Sequence, residues 1–418
     1  MPVWLARVAL GATLILPVFL MHGRAIAEIL IGAIDACFLI RCALGRDYAW
    51  LTTPWVRVAA IWWGWLVLCS VPWISGGNSG NLVQALATIR FLVLIAALEH
   101  DVLRAAAARL WMRRVVAATA LYIGLQSLLQ FATGHNLQGY PRGADGELTG
   151  PFEHPRAAAP LSRLLFPAIL GLRGKRLVPI LLIGTTGIVV LIGQRMPLLL
   201  TLLGLILAGF LLPRLRAAVL GAAVAGAMLL GASAAISPPT FHRLVVKFSS
   251  QMEDFSDSDY GRIAGRAVAI TLAHPIFGQG FDAYRRVCGD PAYGDAAGVC
   301  NIHPHNHYLE AATESGLPGL ALFCALILAW LAPLARGLWA DPRPLRVGLF
   351  VAAAIQEWPI ASASGFTAIE IGGFFFLLLG FGLAEARHSS IGPHHQHRPV
   401  QAHHPQHRPR PHLRRVRR

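Results

Sequence analysis

The chain has 418 residues, of which 55% are hydrophobic and only 14% are charged, and its formal net charge is +15 at pH 7. The mean hydropathy is positive (+0.54), and the charged fraction is well below the roughly 25% of a soluble domain. These values exclude an ordinary soluble enzyme. Apolar runs of about 17 to 23 residues recur, long enough to cross a hydrocarbon core of roughly 30 Å. The composition therefore predicts an all-α polytopic membrane protein.

About twelve apolar runs qualify as membrane spans by length. In chain order they cover residues 3–21, 25–44, 56–73, 82–98, 115–131, 157–172, 177–193, 197–212, 217–237, 316–333, 345–361 and 366–384. The first run has no evident small-residue cleavage site and the next follows at once, so we interpret it as a span and not as a signal peptide. Pro160 and Arg163 interrupt the sixth run, which predicts a broken or re-entrant segment there.

Basic residues are concentrated in every second connection between the predicted spans. They follow spans 4, 6, 8 and 10 and are Arg104, Arg109, Arg113, Arg114, Arg173, Lys175, Arg176, Arg214, Arg216, Arg336, Arg343 and Arg346. This alternation is the positive-inside pattern, so it places these connections and both termini in the cytoplasm. The net charge is thereby explained by topology, and no nucleic acid partner is expected.

The opposite connections contain fewer clustered basic residues and are expected to face away from the cytoplasm. They are residues 75–81, 132–155 and, by far the longest, 238–315 between spans 9 and 10. In a bacterium, the predicted source, this side is the periplasm and the membrane is the inner membrane. Cys288 and Cys300 share the long loop, where an oxidising compartment permits a disulfide. Two free thiols remain the alternative.

We divide the chain into a membrane domain, residues 1–386, and a cytoplasmic tail, residues 387–418. The tail alternates His, Pro, Gln and Arg without apolar periodicity, so it is predicted to be disordered. Contact with anionic membrane lipids is the expected role of its charge, and metal binding by its histidines is the alternative.

Asp35, Arg90 and Glu370 fall near the middle of predicted spans. A charge at that depth costs about 2.5–3.5 kcal/mol on insertion scales, so each is expected to face a partner or a cavity. An ion pair between Asp35 and Arg90 is one interpretation. A proton or substrate pathway is the other, and it keeps a membrane transporter open as a function.

Counting the spans brings three polar residues to the outer face. Span 7 runs outward and ends at Arg195, the long loop carries Arg262, and the same loop closes with His305 before span 10. Taken singly, these residues are explained by snorkelling to lipid headgroups, solvation or structure. Together, two guanidinium groups bind pyrophosphate oxygens, and a neutral imidazole accepts a proton near neutral pH. Transfer from a lipid pyrophosphate needs that combination.

Four motifs in this region resemble the O-antigen ligase and polymerase superfamily of bacterial membrane glycosyltransferases. The resemblance covers roughly residues 145–325 by motif and the whole chain by span layout. The motifs are a Thr-Gly-Pro-Phe segment at 148–155, a small-x-Arg helix end at 193–195, an Arg and His-Pro-x-x-Gly-x-Gly pair at 261–262 and 274–280, and a His-Asn signature with Glu-x-Gly-x-x-Gly at 305–319.

The resemblance implies a fold like that of the C class of glycosyltransferases and a donor glycan carried on undecaprenyl pyrophosphate at the periplasmic face. It implies that Arg195 and Arg262 hold the departing pyrophosphate in place of a metal. His305 would take the proton of an acceptor hydroxyl as that hydroxyl attacks the anomeric carbon with inversion. The acceptor would be lipid A–core or a growing glycan, and no cofactor or metal is expected.

The chain departs from the family pattern in ways that affect the predicted site. Met196 and Pro197 follow Arg195 where small residues are usual, and Glu153-His154-Pro155-Arg156 replaces a more usual Asn-rich continuation. Arg266 stands where an aromatic residue is common, so it is a second candidate for the phosphate contact.

Three further residues beside the predicted base are expected to bind substrate: His303, Asn306 and His307. Zinc binding by His303, His305 and His307 is an alternative, although the sequence shows no fourth ligand. Glu310 and Glu314 lie one helical turn apart and are expected to orient the loop.

Two members of the superfamily share this chemistry and differ in the acceptor. A ligase caps lipid A–core, whereas a polymerase extends a glycan on its lipid carrier. We favour the ligase and keep the polymerase as the alternative. A transporter is the more distant alternative, because the richest polar set lies at the rim and no internal repeat is evident.

Overall fold

The computed structural model describes residues 3–172, 174, 176–294, 300 and 303–389. Within these residues the chain is helical, no strand is present, and one isolated bridge joins His135 and Pro141. The all-α class is therefore confirmed. The predicted tail from residue 390 onward, and the basic residues Arg173 and Lys175, lie outside the described residues.

The first nine long helices are α1 (Val3–His22), α2 (Arg24–Gly45), α3 (Pro54–Cys69), α4 (Ser79–Val102), α5 (Ala106–Thr133), α6 (Ala158–Leu170), α7 (Leu177–Ile192), α8 (Arg195–Leu211) and α9 (Arg216–Ile236). The long loop contains α10 (Lys247–Glu253) and α11 (Asp259–Ala273), and the chain ends with α12 (His307–Ala335), α13 (Pro344–Gln356) and α14 (Ile369–Ser389). Shorter turns of helix are Ala49–Thr52, Pro72–Ser75, Pro213–Leu215, Pro238–Phe241, His242–Val246, Ala283–Val287 and Pro291–Tyr293.

Each predicted span overlaps one of the helices α1–α9 and α12–α14. By length and apolar composition, six helices in the described part can cross a membrane: α1, α4, α5, α9 with its preceding turn, α12 and α14. The helices α3, α6, α7, α8 and α13 are apolar but shorter. At 1.5 Å per residue, the 13 residues of α6 extend only about 20 Å, which is less than the thickness of a bilayer core. The number of crossings therefore stays a prediction.

The last helix, α14, lies near the centre of the molecule, whereas α9 lies at its edge. In α14, 83% of the most apolar 18-residue stretch is buried. Phenylalanine and leucine side chains on every face of the helix are buried in the protein. The corresponding share for α9 is only 17%, although that helix is equally apolar. An apolar helix that the protein leaves exposed fits a lipid environment, where lipid tails solvate it as well as protein does.

Small residues allow α6 to pack closely between its neighbours. A Cβ atom on Gly348 of α13 would lie 2.7 Å from the Phe166 carbonyl oxygen, and one on Gly204 of α8 would overlap the Phe166 ring. Glycine at both positions is therefore needed for contact, as is common between membrane helices. This packing fixes α8, which begins with Arg195, and α13 against α6.

Two of the three charges inside the predicted spans find partners that the sequence did not indicate. Arg90 pairs with Glu28 at 2.8 Å and not with Asp35, and Glu370 pairs with Arg156 at 2.8 Å. At the opposite end of the molecule, α14 continues to Ser389, through three residues of the predicted tail. One of them, Arg387, donates to the Glu99 carboxylate at 2.7 Å, and the boundary of the tail stays a prediction.

Candidate functional site

The His-Pro-x-x-Gly-x-Gly motif packs against a kink in α12. The kink lies at Ser315 and Gly316, and Gly316 has a φ of 67°, a value that favours glycine. The amides of Gln279 and Gly280 donate to the carbonyls of Thr313 and Glu314 at 2.9 and 2.8 Å. A Cβ atom on Gly316 would collide with a carbonyl of the motif, that of Ile276. The two motifs are therefore two halves of one structural unit, which fixes the first turns of α12.

Asn306 caps the N-terminus of α12. Its side-chain oxygen accepts hydrogen bonds from the amides of Tyr308 and Leu309 at 3.0 and 3.1 Å. Its side-chain nitrogen donates to the carbonyls of Pro359 and Ala361 at 2.8 and 3.2 Å. Asn306 was predicted to bind substrate. These four bonds give the residue a positioning role beside His305, because both ends of its amide are engaged by the protein, and its contact with substrate stays a prediction.

The loop between α13 and α14, residues 357–368, forms hydrogen bonds with residues 305–310, the segment that contains the histidines. We call the 357–368 loop the clasp loop. The Ala363 amide donates to the His305 carbonyl at 2.7 Å, and the Tyr308 hydroxyl donates to the Glu357 carbonyl at 2.6 Å. The Phe366 amide donates to the Glu310 carboxylate at 2.9 Å. Together with the bonds of Asn306, these contacts fix the backbone of His305, which has a left-handed φ of 55°.

His307 is buried and bound by the same loop. One ring nitrogen lies 3.1 Å from a Glu357 carboxylate oxygen, and the other lies 2.9 Å from the Ser364 carbonyl. With both ring nitrogens engaged inside the protein, His307 joins α12 to the clasp loop. His307, which was predicted to bind substrate, thus has a structural role in this fold. Within the described residues, no three His, Cys, Asp or Glu side chains are grouped to hold a metal ion.

An apolar cavity of about 460 Å³ brings three of the predicted residues together, Arg195, His305 and Asn306. Arg195 and His305 both line it, and α10 and the start of α11 form one wall. The apolar lining consists of Met196, Leu199, Phe248, Met252, Phe255, Tyr308, Leu309, Leu320 and Ile360, among others. A guanidinium group and an imidazole thus border a space that suits an apolar chain.

Arg195 begins α8 and lies beneath α10. One of its terminal nitrogens donates to the side-chain oxygen of Gln251. The neighbouring Arg243 pairs with Asp145 at 2.7 Å and with Glu147 at 2.8 Å, which joins the 142–149 segment to the helical turn before α10. The Gln251 contact is neutral, so an anion entering the cavity would offer Arg195 a stronger, charge-assisted partner.

The two arginines of α11 occupy different environments. Arg262 is 46% exposed, pairs with Asp259 at 3.2 Å and does not line the apolar cavity. Arg266 is only 4% exposed, and its guanidinium donates to the carbonyls of Cys288, Asp290 (2.8 Å) and Tyr293 (3.2 Å). In the structure the donors of Arg266 hold the 288–293 loop, and its contact with phosphate stays a prediction.

The loop held by Arg266 is closed by a disulfide. Cys288 and Cys300 are bonded in the structure, with Cα atoms 5.4 Å apart. Cys288 is fully buried and packs with Ile263, Ile270 and Tyr284 in a small core of the loop. Burial raises the pKa of the Tyr284 hydroxyl to about 12, so this tyrosine is neutral. The long loop thus has its own apolar centre, which orients α11 above the cavity.

A second cavity, of about 740 Å³, is polar. Among the described residues its lining includes four arginines and five carboxylates, which are Arg24, Arg90, Arg156, Arg285, Glu28, Asp282, Glu310, Glu314 and Glu370. His303 also lines this cavity. The His303 and His305 rings are near-perpendicular with centroids 4.5 Å apart. Two neighbouring imidazoles therefore border the two cavities, His305 the apolar one and His303 the polar one.

Both imidazoles are kept neutral by their surroundings. Burial lowers the pKa of His305 below its usual 6.5, and a backbone hydrogen bond with Ala363 offsets part of that effect. Burial and, secondarily, the nearby His305 lower the pKa of His303 to about 4. A neutral imidazole at pH 7 retains a lone pair that accepts a proton, which is the form a general base needs.

One known family matches the part of the chain that contains the long loop and the helices on either side of it. A family model described as O-antigen ligase matches residues 180–324. The predicted resemblance to the O-antigen ligase superfamily is thus confirmed. The O-antigen ligase match contains Arg195, Arg262 and His305, and with the apolar helices it indicates a membrane enzyme of the ligase or polymerase type. A comparison with curated proteins gave no match.

The match to the O-antigen ligase family ends before the clasp loop, and the sequence interpretation also missed this loop. The apolar run 345–361 predicted a continuous span, whereas α13 ends at Gln356. Glu357 and Pro359 lie inside that run and could have indicated that the helix ends there, since a carboxylate and a proline are both unusual within a span. Gln251 and Tyr260 also line the apolar cavity and were not singled out.

Proposed function

We propose that the protein is a glycosyltransferase that transfers a glycan from undecaprenyl pyrophosphate to an acceptor hydroxyl, as an O-antigen ligase does. The reaction would invert the anomeric centre and need no metal. The observation that supports this most is the shared border of Arg195 and His305 on one apolar cavity. A lipid pyrophosphate has an apolar chain and an anionic head, and this cavity offers a complement to each.

The donor would bind with its isoprenoid chain against the apolar lining and its pyrophosphate at Arg195. The volume of about 460 Å³ falls within the range of ligand pockets, roughly 300–1,000 Å³, and suits the first isoprene units next to the head group. Arg195 would exchange its neutral contact with Gln251 for phosphate oxygens. A fixed guanidinium at that position stabilises the charge that builds up on the departing pyrophosphate.

His305 would act as the general base. As the acceptor hydroxyl attacks the anomeric carbon, a new carbon–oxygen bond forms and the bond from that carbon to the pyrophosphate breaks. The bonding electron pair leaves with the pyrophosphate, and the hydroxyl proton moves to a ring nitrogen of His305. Attack from the face opposite the leaving group inverts the configuration. The lowered pKa of His305 supports this role, because the imidazole is neutral before the reaction.

Arg262 would join the site when the donor binds. Its partner Asp259 is 64% exposed, and an exposed ion pair contributes only about 0–1 kcal/mol, so a pyrophosphate can compete with it. The neighbouring residues Ser258, Tyr260 and Ala264 already line the apolar cavity. Arg262 would reach the donor by a change of its side-chain rotamer.

Direct transfer by the purified protein tests this function. The protein in liposomes would receive an undecaprenyl-pyrophosphate glycan with either lipid A–core or a second lipid-linked glycan, with and without a chelator. Glycan on lipid A–core supports the ligase, and an extended lipid-linked glycan supports the polymerase. If neither product forms, or if the chelator abolishes transfer, the proposal is contradicted.

The proposed orientation puts this site in the periplasm, with the protein in the inner membrane and both termini in the cytoplasm. It rests on the alternation of basic connections. Reporter fusions at Ser79, Glu147 and Asp290 should report the periplasm, and fusions at Arg109, Lys175 and Asp341 should report the cytoplasm. A cytoplasmic signal at Asp290 would place the site on the wrong side for a flipped donor.

A further inference from the structure

We propose that the polar cavity is the acceptor site and that it binds a hydroxyl-rich saccharide through the carboxylates of Glu310 and Glu314. The assignment rests on the proposed function, because it needs a donor at Arg195 and a base at His305. It adds a second binding site to the reaction. The apolar cavity would then hold the donor and the polar cavity the acceptor. The imidazoles of His303 and His305 would lie between the two substrates.

The carboxylates of Glu310 and Glu314 are fixed and still have bonding capacity. One oxygen of Glu310 accepts from the Phe366 amide at 2.9 Å, and one oxygen of Glu314 accepts from the Asp282 amide at 2.8 Å. Glu314 is only 7% exposed and yet lines the cavity. Within the described residues neither carboxylate forms a salt bridge, so the second oxygen of each remains for a ligand. Buried carboxylate oxygens without donors are costly, and sugar hydroxyls supply donors.

His303 extends this surface toward the base. Its Nδ1 atom is buried and has no hydrogen-bond partner within the described structure. Gly365 lies between it and the first carboxylate: a Cβ atom there would be 3.1 Å from Glu310 Oε1 and 3.5 Å from His303 Cδ2. Because glycine leaves this space open, a sugar ring on the carboxylates can present one hydroxyl past His303 to His305.

Three of the four arginines of the cavity have a carboxylate neighbour. Arg90 pairs with Glu28 and Arg156 pairs with Glu370, both at 2.8 Å, and Arg285 lies 3.9 Å from Asp282. A cavity with five carboxylates against four arginines, three of which have a carboxylate neighbour, does not favour a pyrophosphate. It favours a neutral ring with several hydroxyl donors. The balance of charge therefore assigns the saccharide acceptor to this cavity and the lipid pyrophosphate to the other.

Binding and turnover of conservative variants test the assignment. Glu310→Gln and Glu314→Gln preserve size and one acceptor oxygen, Gly365→Ala narrows the passage, and Asp341→Asn is an exposed control on the opposite face. The probe for direct binding is the deacylated core oligosaccharide of lipopolysaccharide, titrated into the whole protein in detergent. A second titration uses undecaprenyl pyrophosphate.

We expect the three cavity variants to weaken oligosaccharide binding and raise the acceptor KM by roughly tenfold or more, because each Gln replaces an acceptor oxygen with a donor and the Ala methyl group narrows the passage. Binding of undecaprenyl pyrophosphate should stay within about twofold of the wild type, as should both affinities of Asp341→Asn. Unchanged oligosaccharide affinity in Glu314→Gln and Gly365→Ala, or failure of the wild type to bind the oligosaccharide, would overturn the assignment. A wild type that binds the oligosaccharide but transfers nothing would contradict the proposed function and leave the saccharide site standing.

Discussion

The Ala363 amide donates to the His305 carbonyl at 2.7 Å, so the clasp loop holds the backbone of the proposed base directly. The two residues are far apart in the chain, and only the packing of α12 against α13 and α14 brings them together. Because His305 has a left-handed backbone, its ring direction depends on contacts of this kind. The geometry of the site is therefore set partly by a loop outside the family match.

Asn306 lines the apolar cavity, and we expect it to act mainly by positioning the base. Asn306→Ala removes the helix cap, which typically costs about 1 kcal/mol, together with both bonds to the clasp loop. We expect a large fall in kcat, a small fall in melting temperature and an unchanged affinity for undecaprenyl pyrophosphate. Asn306→Asp preserves the cap oxygen but loses the two donated bonds, so it should recover the melting temperature and not kcat. Wild-type kcat in both variants would refute this role.

The pH dependence of transfer should reflect the lowered pKa of His305. The active form is the neutral imidazole, and burial shifts its pKa below 6.5. Activity should therefore be constant around pH 7 and fall only on the acidic side of pH 6.5, as the imidazole takes up a proton. The measurement is kcat/KM for the donor against pH. An acidic limb that begins above pH 6.5 would be inconsistent with a buried, neutral base.

The two arginines of α11 should behave differently when truncated. Arg266→Ala leaves three loop carbonyls without their donor, and each unsatisfied buried group costs about 1–3 kcal/mol. Its melting temperature should drop and the 288–293 loop should become sensitive to protease. Arg262→Ala, an exposed residue, should melt like the wild type and transfer glycan much more slowly. The reverse result, a stable Arg266→Ala and an unstable Arg262→Ala, would contradict the two assignments.

Removal of the disulfide should destabilise the loop core. Cys300→Ser avoids placing a hydroxyl at the fully buried Cys288 position. A disulfide that closes a loop of this size usually contributes about 2–4 kcal/mol, so the variant should melt at a lower temperature. Mass spectrometry of non-reduced peptides checks the bond itself. Full thiol labelling of both cysteines in the native wild type would show that the bond is absent.

Hydropathy predicted the helices well because apolar runs of this length have few other stable structures. It did not predict where α13 ends, since Trp358 and Ile360 continue the apolar pattern. Both are well exposed in the clasp loop, and Ile360 lines the apolar cavity. An apolar residue that meets a ligand cavity has the same sequence signature as one inside a span, so composition alone cannot separate them.

The candidate site was predictable only in part, for a related reason. Span counting placed Arg195 and His305 on one face, and the structure brings them to one cavity. The same count could not distinguish Arg262 from Arg266, because they lie one turn apart on α11. Which of the two is buried depends on how the 288–293 loop folds back on that helix. Backbone partners such as Ala363 and Phe366 have no side-chain signature at all.

The most direct test of the central claim separates donor binding from turnover at the apolar cavity. The measurement is undecaprenyl-pyrophosphate affinity together with the single-turnover transfer rate, for His305→Ala and Arg195→Lys, with the exposed His135→Ala as control. Loss of a general base usually costs about 10²–10⁴-fold in rate, so His305→Ala should bind the donor normally and transfer it that much more slowly. Arg195→Lys keeps the charge but loses the bidentate fork, so it should lose both affinity and rate. A near-normal transfer rate in His305→Ala would contradict the account.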